Sequence, residues 1–233
     1  MKFESTEVWG FKHAIRGMLN PMNSWGKSDS FECSEIDDCG CCDFVGKDDC
    51  SNITIIIGKN DLKLAQQLIR AGSEHRKFLR QIMVSVDITA PLYWWKEFDT
   101  YKVGTTANST STMHKLASSE ITMDCFEMGD YQNIKVVGAA TTNTMWKSVI
   151  MYMEMLRRKY NESREVEYWK ELVRVLPESW LQTRTITMNF ENLYSIIRHR
   201  GNHKLIEWRE SFINWCKTLP YADELLFLDK KGE

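Results

Sequence analysis

The stretch richest in chemistry runs from Lys102 to Lys115. Between the two cations stand Thr105, Thr106, Asn108, Ser109, Thr110, Ser111 and Thr112, all short, neutral and able to hydrogen-bond. Small hydroxyl side chains leave backbone N–H groups accessible, and such segments hold phosphates or sugars where they lead into a helix. The same composition also suits a solvated loop. A second cluster lies late in the chain: Arg198, His199, Arg200 and His203, with Arg184 upstream. The arginine fork makes paired hydrogen bonds to phosphate or carboxylate oxygens. On a helix, positions two apart point about 200° from each other, so Arg198 and Arg200 do not face one ligand. The alternative is a pair of C-terminal cations favoured by the helix dipole. His203 and Glu207 stand four apart, a helical spacing that suits a metal, although without a second histidine on that face an ion pair is the simpler expectation.

Five of the seven cysteines crowd one stretch. Cys39 and Cys42 form a CxxC pair, and Cys33 and Cys50 would complete a four-thiolate zinc site. The spacing is irregular, and Asp37, Asp38, Asp43, Asp48 and Asp49 disfavour thiolates by like-charge repulsion. A reduced surface insertion is the competing reading. The sequence has no GxGxxG, Walker A, GxSxG or HExxH pattern, which argues against common dinucleotide, triphosphatase and hydrolase chemistries.

These residues must be carried by regular elements. Residues 7–19 show helical spacing at Val8, Phe11, Ile15 and Met18 or Leu19, ended by Asn20-Pro21. Residues 60–72 read as a helix capped by Asn60 or Asp61 and closed by Gly72. Ile82, Val84, Val86 and Ile88 alternate with polar residues, as in a half-buried strand, and Ala90-Pro91 ends it. The following LYWWKEF could continue the strand or start a helix, and its period fits neither well. From residue 142 the chain turns helical, with breaks at Pro177, Gly201 and Pro220. Met145, Met151, Met153 and Met155 are expected to fill core gaps.

The 233 residues suffice for a sizeable core, and a composition of 43% hydrophobic and 27% charged residues is that of a globular protein. A net charge of −2 gives no overall pull toward nucleic acid or anionic lipid. No apolar run is long enough to span a membrane, and the N-terminus shows no secretory signal. With the cysteine content, this leads to the expectation of a reducing, cytoplasmic setting. The sequence reads as one α+β domain over 1–233, with a small sheet in the first half, helices in the second and a Cys-rich insertion at about 29–52.

In order and spacing, these pieces resemble the flavin-dependent thymidylate synthase (ThyX) family. Its signature R-H-R-x-x-S-x-N-E-x-S-x-R follows a strand ending in A-P. Here Ala90-Pro91 precedes Thr100-Tyr101-Lys102, then Thr105, Asn108, Ser111 and Met113. Leu176-Pro177, Thr183-Arg184, Asn189, Arg200 and Ile206-Glu207-Trp208-Arg209 match a second family block. The literal R-H-R at 198–200 falls on the late helix instead. The signature's two arginines are lost, and Lys102 retains one charge. The resemblance implies an antiparallel sheet packed with long helices, and C5 methylation of a pyrimidine deoxynucleotide such as dUMP. Reduced FAD, NADPH and methylenetetrahydrofolate would serve the reaction. It implies that Arg184, Arg200, Ser111, Thr112 and Glu97 bind the nucleotide, with Arg200 catalytic. It gives His75, Lys102, Thr105, Asn108, Asn189 and His203 to flavin, with Tyr101 or Trp95 stacking on a ring. It further implies a homotetramer. The lost arginines also fit a homologue that binds a nucleotide without turnover.

Overall fold

The computed structural model describes residues 1–32, 55–138 and 140–228. Cys33, Cys39, Cys42 and Cys50, the expected zinc ligands, lie outside the described residues, as does most of the 29–52 insertion. Among the described residues no group of three or more His, Cys, Asp or Glu side chains is arranged to hold a metal. No described helix is long and apolar enough to cross a membrane.

Strand β1 (Lys2–Trp9) leads into helix α1 (Phe11–Leu19). The helix expected from residue 7 thus begins only after Gly10. That residue has φ 97°, and a Cβ on it would stand 2.1 Å from the Gln81 carbonyl oxygen. Glycine alone accommodates both the torsion and the approach. After the short ribbon β2 (Phe31–Glu32) and β3 (Ile55–Ile56) comes α2 (Lys59–Ala71). Its N-terminal cap is not Asn60 or Asp61. Instead the Asp29 carboxylate accepts the backbone N–H groups of both, at 2.9 and 3.1 Å. Asp61 is turned inward, 2% exposed, where it accepts the hydroxyls of Ser28 and Ser30 at 2.6 Å each.

Strand β4 (Met83–Pro91) buries Val84, Val86, Ile88 and Ala90 in alternation, as its period predicts, and runs on through Ala90-Pro91. LYWWKEF resolves as helix α3 (Leu92–Phe98), and β5 (Thr106–Ser109) and the single turn α4 (Thr112–Lys115) follow. A ribbon of β6 (Lys135–Val137) and β7 (Ala140–Thr141) precedes the long α5 (Thr142–Ser163) and α6 (Val166–Arg174). Then come β8 (Leu181–Asn189), α7 (Phe190–Arg200), a π-helical turn at Glu207–Phe212 continuing into α8 (Ile213–Lys217), and α9 (Ala222–Leu225). The main sheet has the order β1-β4-β8-β5. Phe190 bonds to Ile82, Ser85 to Thr187 and Thr89 to Thr183, so β4 and β8 run antiparallel. The fold is α+β with a small antiparallel sheet, as expected. Strand β8 comes from the second half of the chain, where the helical pattern had drawn attention away from it.

The described residues gather into two compact units. The first comprises Met1–Lys2, Ile88–Thr100 and Asn108–Thr185. Its core joins Leu116, Ile121, Phe126, Met153, Leu156 and Leu172, with Trp146 and Trp180 packed against it. Trp94 and Trp95 meet edge to face at 4.9 Å, and both contact Phe98. Of the four methionines expected in the core, only Met153 is buried. Met145, Met151 and Met155 are exposed, because α5 turns one narrow face inward.

The second unit comprises Phe3–Asp87, Tyr101–Ala107 and Ile186–Glu233. Helix α7 lies at its centre, burying Phe190, Leu193, Tyr194, Ile196 and Ile197. Phe11 meets Phe190 edge to face at 5.7 Å, and Phe3 stacks on Trp215 at 5.0 Å. Burial raises the Cys216 thiol well above its ordinary pKa, so it acts as an inert apolar filler.

Candidate functional site

In the second unit, α7 begins with a reciprocal cap. Asn189 Oδ1 accepts the Asn192 N–H, and Asn192 Oδ1 accepts the Asn189 N–H. The same helix fastens the 101–105 segment, because Asn192 Nδ2 donates to the Val103 carbonyl at 2.7 Å. Gly104 sits against this cap with φ 76°, where a Cβ would come within 3.0 Å of Asn189 Nδ2. Thr105 Oγ1 is shielded from solvent and has no hydrogen-bond partner among the described residues. An unsatisfied buried hydroxyl costs about 1–3 kcal/mol, so this atom is a strong candidate for an external polar partner.

At the other end of α7, Arg200 Nε donates to the Tyr101 hydroxyl at 3.0 Å. Its guanidinium carbon lies 5.7 Å from the Tyr101 ring centre and 5.2 Å from that of Trp208. Tyr101 and Trp208 meet edge to face at 6.3 Å. A planar cation among aromatic rings is suited to a flat, polar, electron-rich ligand.

Arg198 points elsewhere, as the helical geometry requires. It stacks on Tyr194 at 3.4 Å and donates to the Leu226 and Leu228 carbonyls. Burial lowers its pKa. Arg76 also stacks on Tyr194, at 4.4 Å, and its Nε bridges both oxygens of Glu191 at 2.9 and 3.1 Å. Arg76 and Tyr194 were missed by sequence reasoning, since only the fold brings residue 76 beside α7. His75 is exposed at the end of the turn after α2, and Lys102 is exposed. His203 lies in the connection before the π-helical turn, not on a helix shared with Glu207, and its Nδ1 accepts the Leu205 N–H at 3.2 Å.

In the first unit, Arg184 is the organised cation. Its Nη1 donates to Asp99 at 2.9 Å, its Nε to Gln182 at 3.0 Å, and its guanidinium lies 4.3 Å over Trp95. Gln182 Nε2 reaches the Thr110 carbonyl and the Thr112 hydroxyl, at 2.9 and 3.3 Å. Gln182 was missed, although residues two apart on a strand share a face and the strand would have revealed it. The hydroxyl run is partly strand rather than loop: Thr106–Ser109 forms the exposed end strand β5, which carries Asn108. The Ser111 hydroxyl caps α4 by accepting the His114 N–H at 3.2 Å. Glu97 is half-buried on α3, and its carbonyl accepts the Thr100 hydroxyl. The structure therefore ties Thr110, Thr112 and Arg184 together through Gln182 on β8, with Ser111 between the two threonines, while α7 carries Asn189 at its start and Arg200 at its end and holds Val103, two residues before Thr105.

Two solved structures share this architecture. A flavin-dependent thymidylate synthase ThyX from Helicobacter pylori, complexed with FAD and dUMP, superposes with a TM-score of 0.65 at 14% identity. It matches 97% of this chain and 98% of its own. A second structure, Thymidylate Synthase X from Helicobacter pylori with FAD and dUMP, gives a TM-score of 0.64 at 14% identity over the whole of both chains. The chain has the ThyX fold. No protein-family model matches the sequence, and no curated protein is similar to it in sequence. In the 100–102 segment the Tyr101 hydroxyl faces the α7 arginine, Arg200.

Proposed function

We propose that the protein is a divergent member of the ThyX family that methylates, or otherwise alkylates, C5 of a pyrimidine deoxynucleotide such as dUMP. The reading is carried by the ThyX fold extending over nearly the whole chain, with an arginine held among aromatic rings at the end of α7. That coverage also supports taking 1–233 as one ThyX-like domain; the family resemblance further leads us to propose that it acts in the cytoplasm as a homotetramer.

Arg200 and Arg184 would hold the base and phosphate, assisted by Ser111, Thr112 and Glu97. A guanidinium on the carbonyl edge of the pyrimidine stabilises the enolate charge that makes C5 nucleophilic. No protein nucleophile is needed. Trp95 and Trp208 restrict the orientation of the two arginines, so the ordering cost falls on folding rather than on ligand binding.

The residues present fit a flavin. Thr105 offers an unmet buried hydroxyl, and Lys102 and His75 are exposed on the same unit. Asn108, Asn189 and His203 complete the proposed flavin set. Reduced FAD, when bound, supplies the hydride that completes the methyl group, with NADPH as reductant and methylenetetrahydrofolate as carbon donor. Arg76 is neutralised by Glu191, and Arg198 is committed to carbonyl oxygens. The flavin pyrophosphate would therefore meet few cations, and its affinity should be modest and salt-sensitive.

The absorption spectrum of protein purified at low salt tests this directly. Visible flavin bands that fade on high-salt dialysis and return on adding FAD support the reading. A colourless protein that neither carries nor takes up FAD contradicts it. The commitment of Arg76 and Arg198 favours one second reading, a homologue that captures the nucleotide without turnover. Thermal stabilisation by dUMP, dTMP or dCMP with no response to FAD would select it.

A further inference from the structure

We infer that Tyr101 is the positioning residue for Arg200, holding a nucleotide-binding guanidinium in one orientation. The inference deepens the proposed function and rests on it for the identity of the ligand. Three observations in the second unit carry it. First, the Tyr101 hydroxyl accepts the Arg200 Nε–H at 3.0 Å, which fixes the plane of the guanidinium. Second, the guanidinium lies 5.7 Å from the Tyr101 ring and 5.2 Å from Trp208, and the two rings brace each other edge to face at 6.3 Å. Third, α7 holds both partners. It carries Arg200 in its last turn, and about two turns earlier Asn192 ties down the Val103 carbonyl two residues beyond Tyr101.

Arginine has a long flexible stem, and an unrestrained guanidinium must be ordered when ligand binds. Here the Nε bond and the two rings order it beforehand. Gly104 makes this possible: at φ 76° it turns the chain against the Asn189–Asn192 cap, where a side chain would meet Asn189 within 3.0 Å. An arginine at 101 would not reproduce the acceptor, because a guanidinium accepts no hydrogen bond, and a histidine would do so only as the neutral imidazole, whereas the tyrosine hydroxyl accepts across the whole neutral range. The tyrosine is thus chemically matched to Arg200.

The test compares wild type with Tyr101→Phe, which keeps the ring and its contact with Trp208, using Arg200→Lys to assign the Arg200 Nε–H resonance in protein labelled with 15N-arginine. Two quantities are read: the exchange rate of that Nε–H with solvent, and the affinity for dUMP by calorimetry. The inference expects at least tenfold faster exchange in Tyr101→Phe, dUMP affinity about tenfold weaker, and unchanged flavin content. Equal exchange rates in the two proteins overturn the inference, as does equal dUMP affinity. If wild type binds no dUMP, the nucleotide reading fails. The exchange comparison remains decisive on its own for whether Tyr101 holds Arg200.

Discussion

Helices α7 and α5 differ in how deeply they are buried. Helix α7 has 11 residues and buries five of them, including Phe190, Leu193 and Ile196 at 0% exposure. Helix α5 has 22 residues and buries only Met153 and Leu156. Trp146, Val149 and Ile150 pack half-buried beside these two, and a carboxylate on the helix adds polar contacts. Glu154 receives Arg157 at 2.6 and 2.7 Å, Arg158 at 2.9 Å and the Ile121 N–H at 3.1 Å. The Arg157 hydrogen bonds, aided by the Ile121 N–H and Arg158, bring its pKa down to about 2 against the effect of burial. Arg157 and Arg158 belong to α5 itself, so of these contacts only the Ile121 N–H links the carboxylate to another segment, whereas α7 buries five of its eleven residues in close-packed apolar contacts, a firmer base for an arginine that meets a ligand.

Phe190→Ala strikes the α7 side of this contrast and carries the largest expected effect. It removes a fully buried ring from the start of the helix and from contact with Phe11, at about 3–5 kcal/mol of stability. Urea unfolding measures the loss, and a value below about 1 kcal/mol would show that α7 is not packed as described.

The α5 carboxylate predicts acid sensitivity in the first unit. A glutamate whose native pKa lies near 2, against an ordinary 4.5, contributes stability that is complete above about pH 4.5 and is lost as pH falls from there toward 2. Glu154→Gln should cost about 2 kcal/mol at pH 7, and the difference from wild type should shrink as pH drops from 5 to 3. Hydrogen exchange followed through that range should report earlier opening in α5 and α6 than in α7. Uniform opening would remove the distinction.

Met151→Gln should have the smallest effect. At 70% exposure its side chain contributes little, and the change should stay within about 0.5 kcal/mol. A larger loss, accompanied by a fall in sedimentation coefficient, would mean that the exposed methionines of α5 are covered by another subunit in solution.

The same contrast explains what could be read in the sequence. The α7 helix, its stop at Gly201 and the alternation of β4 were legible, because one face of each is buried continuously and periodicity records burial. The methionines of α5 misled for the same reason. They recur at helical spacing, yet hydrophobicity alone does not reveal which stripe finds a partner. Strand β8 went unrecognised because Gln182, Thr183 and Arg184 give its first half a polar pattern, and only Ile186 and Met188 mark a buried face. The opposed directions of Arg198 and Arg200 followed from helix geometry alone. Their partners divide: Tyr194 stands four residues before Arg198, a spacing that helix geometry supplies, whereas Tyr101 is 99 residues from Arg200 and only the fold brings the two together.

The central claim is that Arg200 serves a pyrimidine nucleotide. Titration calorimetry of dUMP into wild type and into Arg200→Ala tests it most directly. The account predicts saturable binding by wild type and a loss of at least about tenfold in the variant, as expected for a charge-assisted contact worth about 1.5–3 kcal/mol. Equal affinity in the two proteins, or no binding by a folded wild type, would contradict it.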